Sequence, residues 1–265
     1  MPARDRVAAL LSGFAAGLAG GLLGVGGGIV LVPILTSRFR VSQHVAHGTS
    51  LAVIGATALS SLVIYGAHAN VIWLTALWVA LTSVVTVRYG ARLARRLSSV
   101  ALTRWFAAFL VLVAARLLFR PASQGAAIPS AAVVPVDLGI GALVGLLAGF
   151  MGVGGGILAV PAFTLLLGMS QRVAQGTSLA VILVTAPVGT IENSRHGQVA
   201  WALVPMLALG AILGGPLAST LAHHVPQVLL ARGFAVFLLV VAVRSWIQAG
   251  RRPAASPAPG VPRST

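Results

Sequence analysis

A pentapeptide of glycine and valine occurs twice in the chain, as Gly24-Val-Gly-Gly-Gly28 and as Gly152-Val-Gly-Gly-Gly156. The same offset of 128 positions, without a gap, pairs Gly48-Thr-Ser-Leu-Ala-Val-Ile54 with Gly176-Thr-Ser-Leu-Ala-Val-Ile182. About 28 of the 61 aligned pairs from Gly13 to Trp73 are identical. A repeat of this length dictates the fold, because both copies must form the same unit. We therefore predict a tandem duplication.

Each copy contains four apolar segments, which in the first copy cover about 7–36, 45–66, 71–88 and 100–119. A soluble domain of this size has roughly a quarter of charged residues. This chain has 8% charged and 58% hydrophobic residues, with a mean hydropathy of +0.98. The segments are therefore expected to cross a bilayer as helices. Segment 7–36 is too long for a cleaved signal peptide, so we expect it to be retained.

These patterns predict an all-α polytopic membrane protein with a repeat at each end of the sequence. Repeat 1 covers residues 7–120 and repeat 2 covers residues 136–248. Residues 121–135 are rich in Pro, Ala and Ser and form a predicted linker. The Pro-rich residues 249–265 are predicted to be a disordered tail.

The first segment of each repeat is longer than one crossing and is broken in the middle by its glycine cluster. It could form one broken, tilted helix, or two half-helices that enter and leave on the same side. All 18 basic residues are Arg, and eight full crossings would place nine of them on each side. Re-entrant first segments would place 14 inside and four outside, which fits the positive-inside rule better. Each repeat would then have three crossings, and the repeats would be inverted, as in many secondary transporters.

The glycine clusters are candidate anion sites. Glycine lets backbone N–H groups approach a ligand, and the helix that follows presents the positive end of its dipole. We therefore predict that Gly26, Gly27 and Gly28, with Gly154, Gly155 and Gly156, bind an anion. Alternatively, the glycines only allow helices to pack closely.

Neutral donors follow each glycine cluster. Thr49 and Ser50, like Thr177 and Ser178, place two hydroxyls at the start of a span, and Gln43 and Gln171 precede them at equal spacing. Such donors can hold an anion without trapping it. The alternative for the hydroxyls is helix capping or a bond to a carbonyl one turn earlier.

The end of the next span carries polar residues that differ between the copies. Tyr65 and His68 in one copy align with Asn193 and His196 in the other. We predict that Asn193 and His196 contact the substrate, although a lone histidine at a helix end often caps the helix. Glu192 could couple protons or could pair with Arg195.

Several functions are disfavoured by what the sequence lacks. It contains no Lys and no Cys, which excludes P-loops, Schiff bases, thiolate metal sites and cysteine nucleophiles. It contains no carboxylate pair and no His, Asp or Glu cluster at metal-ligand spacing. The Arg residues lie in short clusters between apolar runs and do not form the basic face that binds nucleic acid. We therefore expect no enzyme activity, no cofactor, no metal and no nucleic-acid partner.

The doubled GVGGG motif followed by Pro33 or Pro161, and the Gly-Thr-Ser motifs of the next spans, resemble the sulfite exporter TauE/SafE family, also called the toluene sulfonate uptake permease family. The resemblance covers about residues 7–248. It implies a multi-pass inner-membrane carrier of small sulfur-containing anions such as sulfite or sulfonates. The chain departs from its own repeat at His47, where the second copy has Gln175.

We therefore predict a secondary transporter whose partners are the lipid bilayer and a small anion, with the anion site between the two glycine clusters. One alternative is an anion channel. Another is a membrane subunit that does not transport and instead docks a partner protein.

Overall fold

The computed structural model describes residues 3–94, 99–119, 134–151 and 156–251. All regular elements in these ranges are α-helices, which confirms the predicted all-α class. In chain order they are α1 (Ala3–Leu23), α2 (Gly28–Arg38), α3 (Gln43–Ala67), α4 (Trp73–Ala94), α5 (Ser99–Phe119), α6 (Val134–Met151), α7 (Gly156–Leu166), α8 (Gln171–Arg195), α9 (Val204–His224) and α10 (Gln227–Arg251).

Many of the helices are long and apolar enough to cross a membrane. In the described part of the chain these are α1, α3, α8, α9 and residues 227–247 of α10, while the other helices contain shorter apolar stretches. Large apolar side chains such as Leu217, Leu221 and Val240 are exposed on their outer faces. Lipid is the solvent in which such faces are stable. The chain is therefore a multi-pass membrane protein.

The first apolar segment is broken at its glycine cluster and reverses direction there. Gly27 lies against the carbonyl of Ala16, and Arg38 at the end of α2 lies 3.6 Å from Asp5 near the start of α1. The segment therefore starts and finishes at one end of the molecule, here called the amino-terminal end. The prediction of two half-helices was wrong for α1, which is a full-length helix. At 1.5 Å per residue, the 21 residues of α1 span about 31 Å and the 11 residues of α2 about 16 Å.

Two long helix pairs join the first five helices to the last five. Helix α1 packs along α9, and α4 packs along α6. Gly13, Gly17 and Gly21 of α1 face Leu207, Ala211 and Gly215 of α9 in the same order, so these two helices are parallel. Small residues every four positions let the two backbones approach closely, as in other membrane helix pairs. Helices α4 and α6 are also parallel.

Helices α3 and α8 cross at the centre of the molecule and run antiparallel. Gly48 near the start of α3 contacts Asn193 near the end of α8, and Gly55 contacts Ala186 near the middle. Helices α5 and α10 are antiparallel as well, because the Arg104 guanidinium lies 5.6 Å from the ring centroid of Trp246. The end at which α3 and α9 finish and α8 begins is called the distal end.

The predicted linker and tail lie mostly outside the described residues. Helix α6 begins at Val134 and α10 finishes at Arg251, so the last two linker residues and the first three tail residues are helical.

Candidate anion-binding site

The first glycine cluster forms a buried break between α1 and α2. Gly24, Gly26 and Gly27 have φ angles of 70°, 75° and 85°, which lie in the left-handed region that favours glycine. Gly27 is the N-cap of α2, and no side chain caps this helix. The first turn of α2 therefore presents backbone N–H groups that no capping side chain satisfies. These groups carry the positive end of the α2 dipole inside the protein.

The start of α7 contacts the first break at the centre of the molecule. A Cβ atom placed on Gly156, the first residue of α7, would lie 3.0 Å from the Cα of Val25. Each break also packs against the following long helix, Gly28 against Ile54 and Gly156 against Ile182. The predicted site residues Gly154 and Gly155 lie outside the described residues. The contact places the start of α7 beside the break between α1 and α2.

Gln175 of α8 packs against the first break, and sequence reasoning did not assign it to the site. A Cβ atom on Gly24 would lie 2.6 Å from the Gln175 Cα, and Gln175 is fully buried. Its Oε1 lies 3.1 Å from the Tyr65 hydroxyl, while its Nε2 has no hydrogen-bond partner among the described residues. An unpaired buried amide N–H₂ is costly, and a bound acceptor would satisfy it. The available signal was the mismatch with His47 in the repeat.

The two predicted serines lie beside the breaks, with different partners. Ser50 Oγ donates to the carbonyl of His47 at 2.8 Å and lies next to Gly28. Ser178 lies one turn before Ile182, on the face of α8 that meets Gly156. Its hydroxyl is fully buried and has no partner in the part of the chain that the structure describes. Ser178 is therefore the second buried group near the breaks that a ligand could satisfy.

Thr49 and Thr177 make reciprocal bonds between the two copies. Thr49 Oγ1 accepts the backbone N–H of Ala200 at 2.9 Å, and Thr177 Oγ1 accepts that of Ile72 at 3.1 Å. Both threonines are fully buried. Their oxygens therefore join the start of one long helix to the loop after the other.

The two predicted glutamines differ in environment. Gln43 is exposed at the start of α3, away from the breaks. Gln171 is buried at the start of α8, and within the described ranges neither polar atom of its amide has a hydrogen-bond partner.

Asn193, near the C-terminus of α8, and His196, the C-cap of this helix, lie at the amino-terminal end of the molecule. Asn193 Nδ2 donates to the Gly189 carbonyl at 2.8 Å, and the exposed His196 bonds through Nδ1 to the Glu192 carbonyl at 2.8 Å. Glu192 is exposed, whereas Asp137 of α6 is buried against Thr75 of α4. The structure does not bring Asn193 and His196 to the breaks.

The comparisons with known proteins identify a family. The sequence model of the sulfite exporter TauE/SafE family matches residues 9–245. The chain belongs to this family. The TauE/SafE match includes both glycine breaks and both long central helices, α3 and α8.

Its TauE/SafE relatives are named as transporters. "Probable membrane transporter protein YunE" of Bacillus subtilis is 32% identical over 79% of this chain and 85% of its own length. A "probable membrane transporter protein" of Xylella fastidiosa is 29% identical over 93% of this chain and 98% of its own length. No solved structure matches the chain significantly. The TauE/SafE chain is therefore a membrane transporter, and the comparisons support neither a channel nor a docking subunit.

Proposed function

We propose that the protein is a secondary transporter that moves small sulfur-containing anions, of the sulfite or sulfonate type, across the cell inner membrane. The family description names sulfite export, and this supports the substrate class. The chain has only three acidic residues, and neither Asp5 nor Glu192 is near the breaks. A site of neutral donors and helix dipoles suits an anion that must later be released.

The observation that carries the proposal is the contact of Gly156, at the start of α7, with the first break, beside donors that have no partner among the described residues. The uncapped start of α2, the Gln175 amide and the Ser178 hydroxyl lie on elements that converge there. A sulfur oxyanion has several acceptor oxygens and could accept from these groups together. We assign Gln175 to the site in addition to the predicted glycines and serines.

An inverted relation between the two copies is part of the proposal. Helices that are equivalent under the 128-residue offset, α3 with α8 and α5 with α10, run antiparallel. The two long pairs that each join a helix of one copy to a helix of the other, α1 with α9 and α6 with α4, run parallel. A two-fold axis lying in the membrane plane accounts for both. Rocking of one copy against the other would expose the site to each side alternately.

The amino-terminal end is proposed to face the cytoplasm. The direction of each helix places most described arginines toward that end. These are Arg4, Arg6, Arg38, Arg40, Arg88, Arg92, Arg104, Arg195, Arg244 and Arg251. The distal end has Arg116, Arg172 and Arg232. This bias follows the positive-inside rule, since cytoplasmic loops collect Arg.

Replacement of Gln175 tests the function. Gln175→Met keeps the side-chain volume but removes both polar atoms of the amide. Bound sulfite or thiosulfate should raise the unfolding temperature of the wild-type protein in detergent, because ligand binds the folded state. We expect the dissociation constant to rise at least about tenfold in Gln175→Met, as for a lost charge-assisted hydrogen bond. Transport of the same anion in proteoliposomes should fall in parallel.

Gln227→Met is the matched control, because Gln227 lies at the start of α10, outside the site. It should bind and transport like the wild type. Equal anion affinity in Gln175→Met and Gln227→Met would remove Gln175 from the site. If the wild-type protein transports none of sulfite, thiosulfate, sulfoacetate and sulfate, the proposed substrate class is wrong.

A further inference from the structure

Two histidines, an asparagine and an arginine meet at the distal end of the molecule. The rings of His68 and His223 are stacked, with centroids 4.0 Å apart and an interplanar angle of 29°. Asn70 Nδ2 lies 2.9 Å from His223 Nε2. Arg172, at the start of α8, lies close enough to interact electrostatically with His223. We call His68, Asn70, Arg172 and His223 the distal cluster.

Hydrogen bonds to the backbone fix which ring nitrogens carry protons. His223 Nδ1 lies 2.7 Å from the Ser219 carbonyl and must donate to it, so His223 Nε2 accepts from Asn70. His68 Nδ1 likewise donates to the Ile64 carbonyl at 2.8 Å. The proton of neutral His68 therefore lies on Nδ1, and Nε2 of this exposed ring carries none. Protonation of His68 at Nε2 creates a charged N–H donor at the surface.

The distal cluster has a positive charge without a carboxylate partner. Arg172 donates through Nε to the Ala222 carbonyl at 3.1 Å and through Nη2 to the Val225 carbonyl at 2.5 Å. The groups that interact electrostatically with His223 are His68, Arg172 and His224, all of which are cationic when protonated. Stacked imidazoles beside a guanidinium are electrostatically unfavourable when protonated, and an anion would offset this.

Tyr65 lies between the distal cluster and the first glycine break. Its ring centroid is 5.0 Å from that of His223. Its buried hydroxyl lies 3.1 Å from both the Gly21 carbonyl and Gln175 Oε1. The contacts from His68 and His223 through Tyr65 to Gln175 therefore lead from the surface to the proposed site.

We propose that the distal cluster is an outer anion-binding site, where the transported anion is held before or after it passes Tyr65. The anion accepts from protonated His68 Nε2 and is attracted by Arg172. This inference rests on the proposed function, because it assigns a second position to the same substrate. It adds a residue pair, His68 and His223, whose replacement should change substrate capture and leave the central site intact.

Uptake of radiolabelled thiosulfate by intact cells tests the inference, in a host without its own thiosulfate uptake. Thiosulfate remains ionised between about pH 6 and pH 8, the range in which histidine titrates. At about pH 6, His68→Ala should raise KM about threefold to tenfold with an unchanged maximal rate, since one charged contact is lost in a solvated site. His223→Ala should raise KM in the same direction, because the His223 ring stacks on His68 and positions it. The difference should shrink at about pH 8. The other titratable groups facing His223 are Tyr65, Arg172 and His224.

His68→Arg provides a rescue, because it restores a cation that does not titrate. It should keep the low KM at both pH values. His224→Ala is the matched control: His224 is exposed, adjoins His223 and bonds only to the Thr220 carbonyl at 2.9 Å among the described residues. It should behave like the wild type.

The outcomes separate this inference from the proposed function. If the wild type transports thiosulfate and the KM values of His68→Ala and His223→Ala equal that of His224→Ala, the distal cluster is not an anion site. The inference is also overturned if only the maximal rate falls. If the wild type transports no sulfur anion, the proposed function fails, and the inference fails with it. Thermal stabilisation of His68→Ala by thiosulfate should persist, because the glycine breaks are intact.

Discussion

At the scale of single residues, the hydroxyls of Thr49 and Thr177 join the two copies. Each oxygen accepts a backbone N–H from the loop that follows the other central helix. Both loops would otherwise place an N–H group against a buried helix without an acceptor. Removing a buried acceptor costs the desolvation of the orphaned donor, about 1–3 kcal/mol. We therefore expect both threonines to stabilise the fold.

Thr49→Val should lower the stability of the purified protein by about 1–3 kcal/mol, whereas Thr49→Ser should retain most of it because the acceptor oxygen remains. Thr190→Val is the control, since Thr190 bonds only to the Ala186 carbonyl of its own helix among the described residues. Thermal unfolding in detergent measures all three variants. If Thr49→Val unfolds like the wild type but no longer transports, the hydroxyl serves the anion and not the fold.

At the scale of secondary-structure elements, the break between α1 and α2 depends on glycine. Gly27 has a φ angle of 85° and lies against the carbonyl of Ala16, so it has neither the conformation nor the space for a side chain. The left-handed conformation alone costs other residues about 1–2 kcal/mol. The hairpin can therefore reverse within a few residues only because this position is glycine.

Gly27→Ala should destabilise the protein by more than about 2 kcal/mol, because the clash of the alanine Cβ with the Ala16 carbonyl adds to that conformational cost. Gly233→Ala should instead stabilise it by up to about 1 kcal/mol, since Gly233 lies in α10 with open space around it. The difference between the two unfolding temperatures measures the effect. Similar temperatures for both variants would contradict the described break.

The sequence predicted the helices well because their signals are local. Apolar runs and glycine clusters lie within the segments that they define, and α2, α3, α7 and α8 follow the 128-residue offset at both ends. The site was less predictable, because its contacts join distant segments. Gln175 meets Tyr65 and Gly24 only after α8 packs against α3, and His223 meets His68 only after α9 packs against α3.

The proposed opposite insertion of the two copies organises the whole molecule. Packing α1 along α9 and α4 along α6 buries small residues of each copy against the other. The start of α7 lies against the first break, beside the antiparallel crossing of α3 and α8. Every proposed part of the transport site depends on that arrangement. If the copies had the same orientation, the equivalent loops after α3 and α8 would lie on the same side of the membrane.

Cysteine labelling tests this orientation most directly, because the chain has no cysteine of its own. Ala69 and Gly197 are equivalent under the offset, are exposed, and have similar φ angles of 53° and 67°. We expect a membrane-impermeant thiol reagent to label Ala69→Cys in intact cells, and to label Gly197→Cys only after the membrane is permeabilised. Labelling of both cysteines from the same side would contradict the inverted arrangement and, with it, the proposed site between the two breaks.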